Sequence, residues 1–330
     1  MIKIGVLGCG KIAERHLRAY KKMPMVDIVI ADIDRAQANR LGEELKVPVA
    51  EDVEMLFTSE SVDALDLCIP TRFHKDAVLK SLANGKHVFC EKPLCLSLEE
   101  ALEIERAVSA TGRIVMVGYL YRFHPAFQFV KEVLEEGIIG RPYFALFRLG
   151  GRGSHALWKH QKDEGGGAIL EMLVHMLDLI LWYFGDVEAV TCLWQDVVLK
   201  HREINGRVHE VDAEDLVLLK LKAGGVDVLC ESDLLSPSYM NTVEIHGENG
   251  SIFTSILHFL PTVVYCKKPK GIFNEGNNFY TFPQENLFEK ELRHFVEAIK
   301  NGGGHLNSVG DSIKVFRVLD QVRRPLLKPH

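Results

Sequence analysis

Three groups of residues in this chain have types and spacings suited to chemistry. Near the N-terminus, Gly8-Cys9-Gly10-Lys11-Ile12-Ala13 follows a short β-branched run and opens a helical one. The first glycine permits a tight turn and the second lets the backbone approach a pyrophosphate. The small Ala13 lets the helix pack closely on the strand. Free N–H groups and the dipole at such a helix start favour an anion. Asp32 ends the next strand-like run, where an acidic side chain takes the ribose hydroxyls of a dinucleotide. Together these features predict dinucleotide binding. A carboxylate repels a 2′-phosphate, so Asp32 favours NAD over NADP, although Arg35 is a cation that a phosphate could meet.

The second group lies at the ends of later strands. In an open α/β sheet, ligands bind outside the carboxyl ends of the strands. Those ends read Cys68-Ile69-Pro70-Thr71-Arg72-Phe73-His74, then Cys90-Glu91-Lys92-Pro93, then Gly118-Tyr119-Leu120-Tyr121-Arg122. Their loops are expected to converge on the nicotinamide end of the crevice. Ile69, Pro70, Thr71, His74, Glu91 and Lys92 are candidate cofactor contacts; Lys92, Tyr119 and Arg122 are candidate substrate contacts. A lysine beside the nicotinamide can donate a proton or hydrogen bond to a substrate oxygen. A lone Lys-Pro reads equally as an exposed strand end.

The third group is Glu171, His175 and Asp178, spaced i, i+4, i+7 in an otherwise apolar helical run. That spacing puts them on one narrow face. Buried unpaired, such groups are costly, so one reading is a self-satisfied core network. The other is a proton relay, with His175 as base and Glu171 on substrate hydroxyls, since a histidine of pKa about 6.5 exchanges protons near neutrality. The preceding Gly165-Gly166-Gly167 would admit a ligand or another backbone.

Positioning these residues requires particular elements. Residues 1–118 alternate short apolar strands (2–7, 26–31, 64–69, 87–90, 113–117) with helices (11–22, 35–45, 75–84, 97–110). Ser97 with Glu100 forms a capping box for the last of these. Strands apolar on consecutive residues, alternating with helices, mean a doubly wound α/β domain with a parallel sheet. From 119 to 330 the texture is α+β. A helix at 124–136, a strand at 143–149 and a long apolar helix at 167–184 precede strand-like runs joined at Asn205-Gly206, 223–225 and 248–250. Two helices, 285–301 and 309–323, close the chain and are able to pack back toward the first domain. An open, mostly antiparallel sheet with helices on one face is expected.

Composition narrows the classes. The 330 residues are 47% hydrophobic and carry a net charge of −6, which suits two buried cores and argues against nucleic-acid or anionic-membrane binding. Seven cysteines without a CxxC pair read as reduced thiols rather than a zinc site or disulfide framework. The N-terminus lacks the order of a secretory leader, and Glu171, His175 and Asp178 interrupt the most membrane-like run, 168–184. A cytoplasmic protein without a metal is expected.

In combination these motifs resemble the glucose–fructose oxidoreductase, inositol dehydrogenase and rhizopine-catabolism (Gfo/Idh/MocA) family. The match runs through GxGxxA, Pro70-Thr71 to His74, Glu91-Lys92-Pro93, Gly118-Tyr119 into Arg122-Phe123-His124-Pro125, Gly165-Gly166-Gly167-Ala168 and His246-Gly247 to Gly250. The resemblance implies a Rossmann domain and an open-faced sheet domain through which dimers or tetramers form. It implies hydride transfer between NAD and a carbinol carbon of a sugar, cyclitol or derivative such as a uronic acid or nucleotide sugar. Lys92 would contact the reacting oxygen before a cis Pro93, His175 would take the proton, and Glu171 would orient a neighbouring hydroxyl. Arg122, Trp158, Lys159 and His160 would flank the substrate. Glu171 stands where an aspartate is usual, and Leu173 and Met176 replace a more usual glycine and aspartate. Alternatives are NAD-dependent glycoside cleavage by transient oxidation, a redox-silent NAD sensor, or reduction of a non-sugar carbonyl.

Overall fold

The computed structural model describes residues 1–151, 156–236 and 241–323. Its contacts group Met1–Leu120 with Asn286–Phe316, and Tyr121–Glu285 with the chain from Arg317 onward.

In the first unit the elements run β1 (Ile2–Leu7), α1 (Lys11–Tyr20), β2 (Val26–Ala31), α2 (Arg35–Leu45), α3 (Glu54–Thr58), β3 (Ala64–Leu67), α4 (His74–Ala83), β4 (His87–Cys90), α5 (Leu98–Thr111) and β5 (Val115–Val117). All strands are parallel, in the order β2-β1-β3-β4-β5. Residues 64–67 and 115–117 are buried at every position, which is why their sequences are apolar without alternation. Order reverses beside β1, so the switch point lies at the carboxyl ends of β1 and β3. α5 starts as its sequence predicts. Ser97 Oγ accepts the Glu100 amide at 3.2 Å, and Glu100 Oε2 accepts the Leu96 amide at 2.8 Å.

The second unit contains α6 (Pro125–Glu135), β6 (Pro142–Gly150), α7 (Val174–Phe184), β7 (Val187–Asp196), β8 (His201–Ile204), β9 (Arg207–Glu210), β10 (Leu216–Ala223), β11 (Val226–Asp233), β12 (Thr242–Gly247), β13 (Gly250–Thr254), β14 (Thr262–Cys266) and β15 (Gly276–Tyr280). Its large sheet has the order β15-β14-β13-β12-β6-β11-β10-β7. Every pair is antiparallel except β6 with β11. That parallel pair is possible because the long connection through α7 returns the chain in the same direction. β8 and β9 form a separate hairpin across Asn205 and Gly206, with φ of 52° and 75° as a tight primed turn requires.

The helix expected over 167–184 is not uniform. Residues Ile169–Leu173 form a π-helical turn before α7 begins. Its start is fixed from outside, because Glu214 accepts the Ala168 amide through its carbonyl at 2.7 Å and the Ile169 amide through Oε1 at 3.1 Å. The stretch 162–184 is long and apolar enough to cross a membrane by length and composition, yet 72% of its most apolar window is buried inside the protein. Its apolarity therefore serves a core.

The closing helices α8 (Leu287–Asn301) and α9 (Val309–Arg323) explain why the units do not divide at 118 and 119. Lys22 on α1 pairs with Glu289 at 2.9 Å, and Phe295 packs its ring 5.7 Å from that of Phe89. Asn307 extends the sheet edge: its carbonyl accepts the Val117 amide at 2.9 Å, and its Nδ2 donates to the Tyr119 carbonyl at 3.1 Å. Residues 286–316 thus complete the Rossmann core. Phe295, 0% exposed, supplies the test. Phe295→Ala is expected to destabilise the first unit by about 3–5 kcal/mol in denaturant unfolding. A loss below 1 kcal/mol would mean that the first unit does not depend on α8.

Candidate active site

In the first unit the glycine turn is shaped for an anion. Gly8 has φ +96°, and a Cβ there would run into the Cys68 carbonyl, so only glycine lets the ends of β1 and β3 come together. A Cβ on Gly10 would meet nothing within 4 Å. That open space sits at the start of α1, which no side chain caps. Its N-terminal amides therefore face a cradle that fits a pyrophosphate. Ala13 is fully buried under the helix, as close packing demands; Lys11 is exposed and Ile12 half-buried.

Asp32 is held in place for a ribose. Its Oδ2 accepts the Cys9 amide at 2.7 Å and Gln37 Nε2 at 3.1 Å, and its Oδ1 accepts the Asp34 amide at 2.8 Å. The glycine turn and the acidic strand end are thereby one hydrogen-bonded assembly. Arg35 is directed elsewhere, with its guanidinium on the carbonyls of Ala50 and Glu51. A 2′-phosphate would meet Asp32 and would have to draw Arg35 from both carbonyls, so these residues fit NAD.

The loops after β3, β4 and β5 do come together. His74, 1% exposed, has Nδ1 2.8 Å from the Pro93 carbonyl and Nε2 2.8 Å from the Ile69 carbonyl. Burial lowers its pKa against the pull of those carbonyls. Both ring nitrogens are engaged by protein, so His74 ties two loops together instead of touching a cofactor as expected. Ile69 lies against Gly8, Pro70 starts the turn, and Thr71 is buried at 3% exposure. The Lys92–Pro93 peptide is cis. The Lys92 amide donates to Glu91 Oε2 at 3.1 Å, and a Cβ on Gly118 would lie 3.3 Å from that same oxygen.

Sequence reasoning missed what lies beneath. His16 on α1 is 0% exposed, with Nδ1 2.9 Å from Asp66 Oδ2 and Nε2 3.2 Å from Glu91 Oε1. Burial alone would lower its pKa, but the Asp66 carboxylate carries it well above the usual histidine range. Glu91 is shifted down despite its burial, chiefly by its hydrogen bond to His16. His16, Asp66 and the Cys68 sulfur lie within 4.8 Å of one another, a metal-like set. Their contacts of 2.9 and 3.4 Å are hydrogen-bond spacings. The available signal was a charged residue inside the apolar run Ala64-Leu65-Asp66-Leu67 and a histidine on the apolar face of α1.

In the second unit the predicted acid–histidine face is divided. Glu171 Oε2 takes Lys159 Nζ at 2.6 Å, and Lys159 lies over the Trp158 ring at 5.1 Å. The extra methylene of glutamate, with the wide π turn beneath it, carries the carboxylate to this lysine. His175 packs its ring 4.8 Å from that of Tyr121, whose pKa burial raises to about 12. Asp178 instead receives Arg122 in a bidentate pair at 2.9 and 2.6 Å, both side chains buried. Two of the three glycines carry close contacts: a Cβ on Gly166 would strike the Lys159 backbone, and one on Gly167 the Glu214 carboxylate. A backbone fills the approach at Gly166 and a side chain the approach at Gly167.

Three further expectations are corrected. Arg122, 4% exposed and locked on Asp178, is a core ion pair and not a handle for an anionic substrate. Tyr119 is 1% exposed and its hydroxyl accepts from Ser312 at 3.2 Å, which makes it a core residue. His160 is 3% exposed, and its carbonyl accepts the amides of Asp212 and Ala213.

The two glycines give separable outcomes. Gly10→Ala is expected to leave thermal unfolding within about 2 °C of wild type and to weaken dinucleotide binding at least about tenfold, since the added methyl enters only the cradle. Gly8→Ala is expected to lower the melting temperature itself, by strain and by the carbonyl collision. Equal melting losses in both would contradict the cradle. His16 sets a pH dependence. Its raised pKa means that the stabilisation is complete below the unfolded value of about 6.5 and is lost as pH rises through the higher folded value. The melting-temperature difference between wild type and His16→Gln should therefore narrow steadily above pH 7; a constant difference up to pH 10 would exclude an imidazolium.

Comparison with known proteins agrees with this geometry. Residues 2–119 match the GFO_IDH_MocA oxidoreductase family with its NAD-binding Rossmann fold, and residues 127–253 match the GFO/IDH/MocA C-terminal domain. A myo-inositol 2-dehydrogenase of Thermotoga maritima is 29% identical over 91% of this chain and 89% of its own. A dTDP-3,4-didehydro-2,6-dideoxy-α-D-glucose 3-reductase of Actinomadura kijaniata is 27% identical over 98% and 95%. The fold also superposes on a levoglucosan dehydrogenase solved with NADH and L-sorbose, with a TM-score of 0.89 at 23% identity over 98% of this chain and 96% of that one. Two domain matches in chain order, over a glycine cradle, an acidic strand end and a Glu-Lys-Pro loop, make this protein a member of the Gfo/Idh/MocA family of oxidoreductases.

Proposed function

We propose that the protein is an NAD-dependent dehydrogenase or reductase that interconverts a secondary alcohol and its ketone on a sugar or cyclitol. The observation that carries this reading is the uncapped start of α1 over the open Gly10 cradle, in the same unit as a Lys92 whose loop is fixed on both flanks. When bound, NAD supplies the hydride acceptor at its nicotinamide ring. The amides of α1 and Asp32 hold the dinucleotide. Lys92 hydrogen-bonds the reacting oxygen, His175 takes the hydroxyl proton, and Glu171, steadied by Lys159, orients a neighbouring hydroxyl. Loss of a proton from oxygen and of a hydride from carbon leaves the carbonyl.

The charge of the second unit's residues favours a neutral substrate. Of the cations expected to greet an anion, Arg122 is neutralised by Asp178, and Lys159 is paired with Glu171. A polyol or unmodified sugar therefore suits these groups better than a uronic acid or nucleotide sugar. The inositol relative supports that class. The dTDP-sugar relative represents the other.

The sheet of the second unit supports assembly of identical chains. Register places Phe279, Val263, Phe253, Glu244, Leu146, Leu229, Lys220 and Thr191 in one row across the sheet. Phe279 is 66% exposed, and Trp194 at the far edge 55%. These exposed rings suit burial against a second copy. The seven free cysteines, Cys9, Cys90, Cys95, Cys230 and Cys266 among them buried, suit a reducing cytoplasm.

Absorbance at 340 nm with NAD and a panel of neutral cyclitols, neutral sugars, uronic acids and nucleotide sugars tests the reading. Signal from a neutral polyol or sugar is expected. His175→Ala should lower turnover at least about a hundredfold with NAD affinity unchanged, and Asp32→Ala should do the reverse. Silence across the panel, with NAD shown to bind, would overturn it.

A further inference from the structure

The buried histidine of α1 is connected to the lysine of the Glu-Lys-Pro loop by two contacts. His16 Nε2 lies 3.2 Å from Glu91 Oε1, and the other Glu91 oxygen accepts the amide of Lys92 at 3.1 Å. On the His16 side the imidazole cannot turn. Nδ1 is held by Asp66 at 2.9 Å, and the rings of Phe89 and Phe288 stand against it at 5.5 and 5.4 Å. On the Glu91 side the carboxylate has a backbone wall at Gly118, where even a methyl group would lie 3.3 Å from Oε2. Beyond Lys92, His74 fixes the Pro93 carbonyl at 2.8 Å. The groups around the imidazole are Asp66 and Cys68 from the β3 strand and its end, and Glu91 from the end of β4.

We propose that His16 is a positioning residue for Lys92, acting through Glu91: the imidazole fixes the carboxylate, and the carboxylate fixes the amide from which the lysine side chain departs. The inference rests on the reading of Lys92 as the residue that contacts the reacting oxygen. It joins the helix that receives the pyrophosphate to the loop that meets the alcohol through the ion-pair contact of His16 with Glu91 and the hydrogen bond of Glu91 with the Lys92 amide. A misplacement of about 1 Å at a reacting group costs about a hundredfold in rate, so a residue that touches no ligand can still govern turnover.

The test uses the full chain with His16→Gln, Glu91→Gln and the double variant. Glutamine at 16 carries a single donating nitrogen and cannot bridge two carboxylates from opposite sides of a ring. Each single variant is expected to lower kcat by about 10- to 100-fold on the best alcohol of the panel, with the Kd for NAD within about twofold. The double variant should be no slower than the slower single, because both break one chain of contacts. Acetylation by a water-soluble succinimidyl ester, read at Lys92 by mass spectrometry, supplies a readout independent of turnover. It should run at least about threefold faster in Glu91→Gln, where the ammonium loses its counter-charge. It should run slower in His16→Gln, where the carboxylate no longer shares its charge with the imidazolium. The exposed Lys46 should not change. Additive kcat losses, or unaltered Lys92 acetylation in both singles, would overturn the inference. Should His16→Gln fail to fold, Glu91→Gln decides by the same readouts. Lys92→Ala separates the two levels: full turnover there defeats the reading of Lys92 and this inference with it, whereas an inactive Lys92→Ala beside a fully active His16→Gln defeats this inference alone.

Discussion

A carboxylate buried without a partner is expensive, and the first unit is arranged around meeting that cost at two such groups with one imidazole. Asp66 and Glu91 come from adjacent parallel strands and face His16 from either side of its ring. The imidazole in turn belongs to the helix whose free end forms the dinucleotide cradle. Strand ends, loop backbone and helix register are thus tied to one imidazole, which is hydrogen-bonded to Asp66 and lies at ion-pair distance from Glu91. His74 adds a second tie, between the loops after β3 and β4.

The second unit solves a similar problem differently. Three ionisable residues enter an apolar helical stretch and meet separate neighbours: Lys159 pairs with Glu171, Arg122 pairs with Asp178, and His175 packs its ring against that of Tyr121. The π turn makes the division possible, since it rotates Glu171 away from the face that ideal α spacing would give it. Removing Arg122 would leave a buried aspartate unpaired, so that pair is retained whether or not it adds net stability. Its bidentate geometry fixes the orientation of α7, and His175 is carried on α7.

Much of this was legible in the sequence, and the limits have physical causes. The glycine turn, Asp32 and the Lys92 loop are local signals, in which residue type follows from backbone position, and they appear where they were expected. The parallel sheet followed from strands that are mostly apolar on consecutive residues and alternate with helices. Long-range partnership was not legible. Nothing in the spacing of Tyr119, Arg122 or His160 says that Ser312, Asp178 and the backbone near Asp212 will enclose them. For residues 286–316 the return toward the first domain was open from the sequence, but the individual contacts, such as Phe295 with Phe89 and Asn307 with Val117, were not. The even i, i+4, i+7 spacing is interrupted for a different reason, because Ile169–Leu173 form a π turn where the pattern predicts α-helix. His16 could have been noticed, since a charged group on a buried face always implies a partner.

The parallel pairing of β6 with β11 bears on how the protein is made. β6 is the first strand of its sheet to leave the ribosome, yet it occupies a central place between β12 and β11. Until the chain has been synthesised past 233 both of its edges lack their neighbours, and until 247 one of them still does. Its sequence, Pro-Tyr-Phe-Ala-Leu-Phe-Arg-Leu-Gly, is apolar enough to pair with a stranger. Arg148 and the leading proline are the features of this strand that discourage such pairing. The nascent chain thus carries a hazard that the finished sheet conceals, and yield at high expression should depend on how quickly β11 and β12 arrive to cover β6.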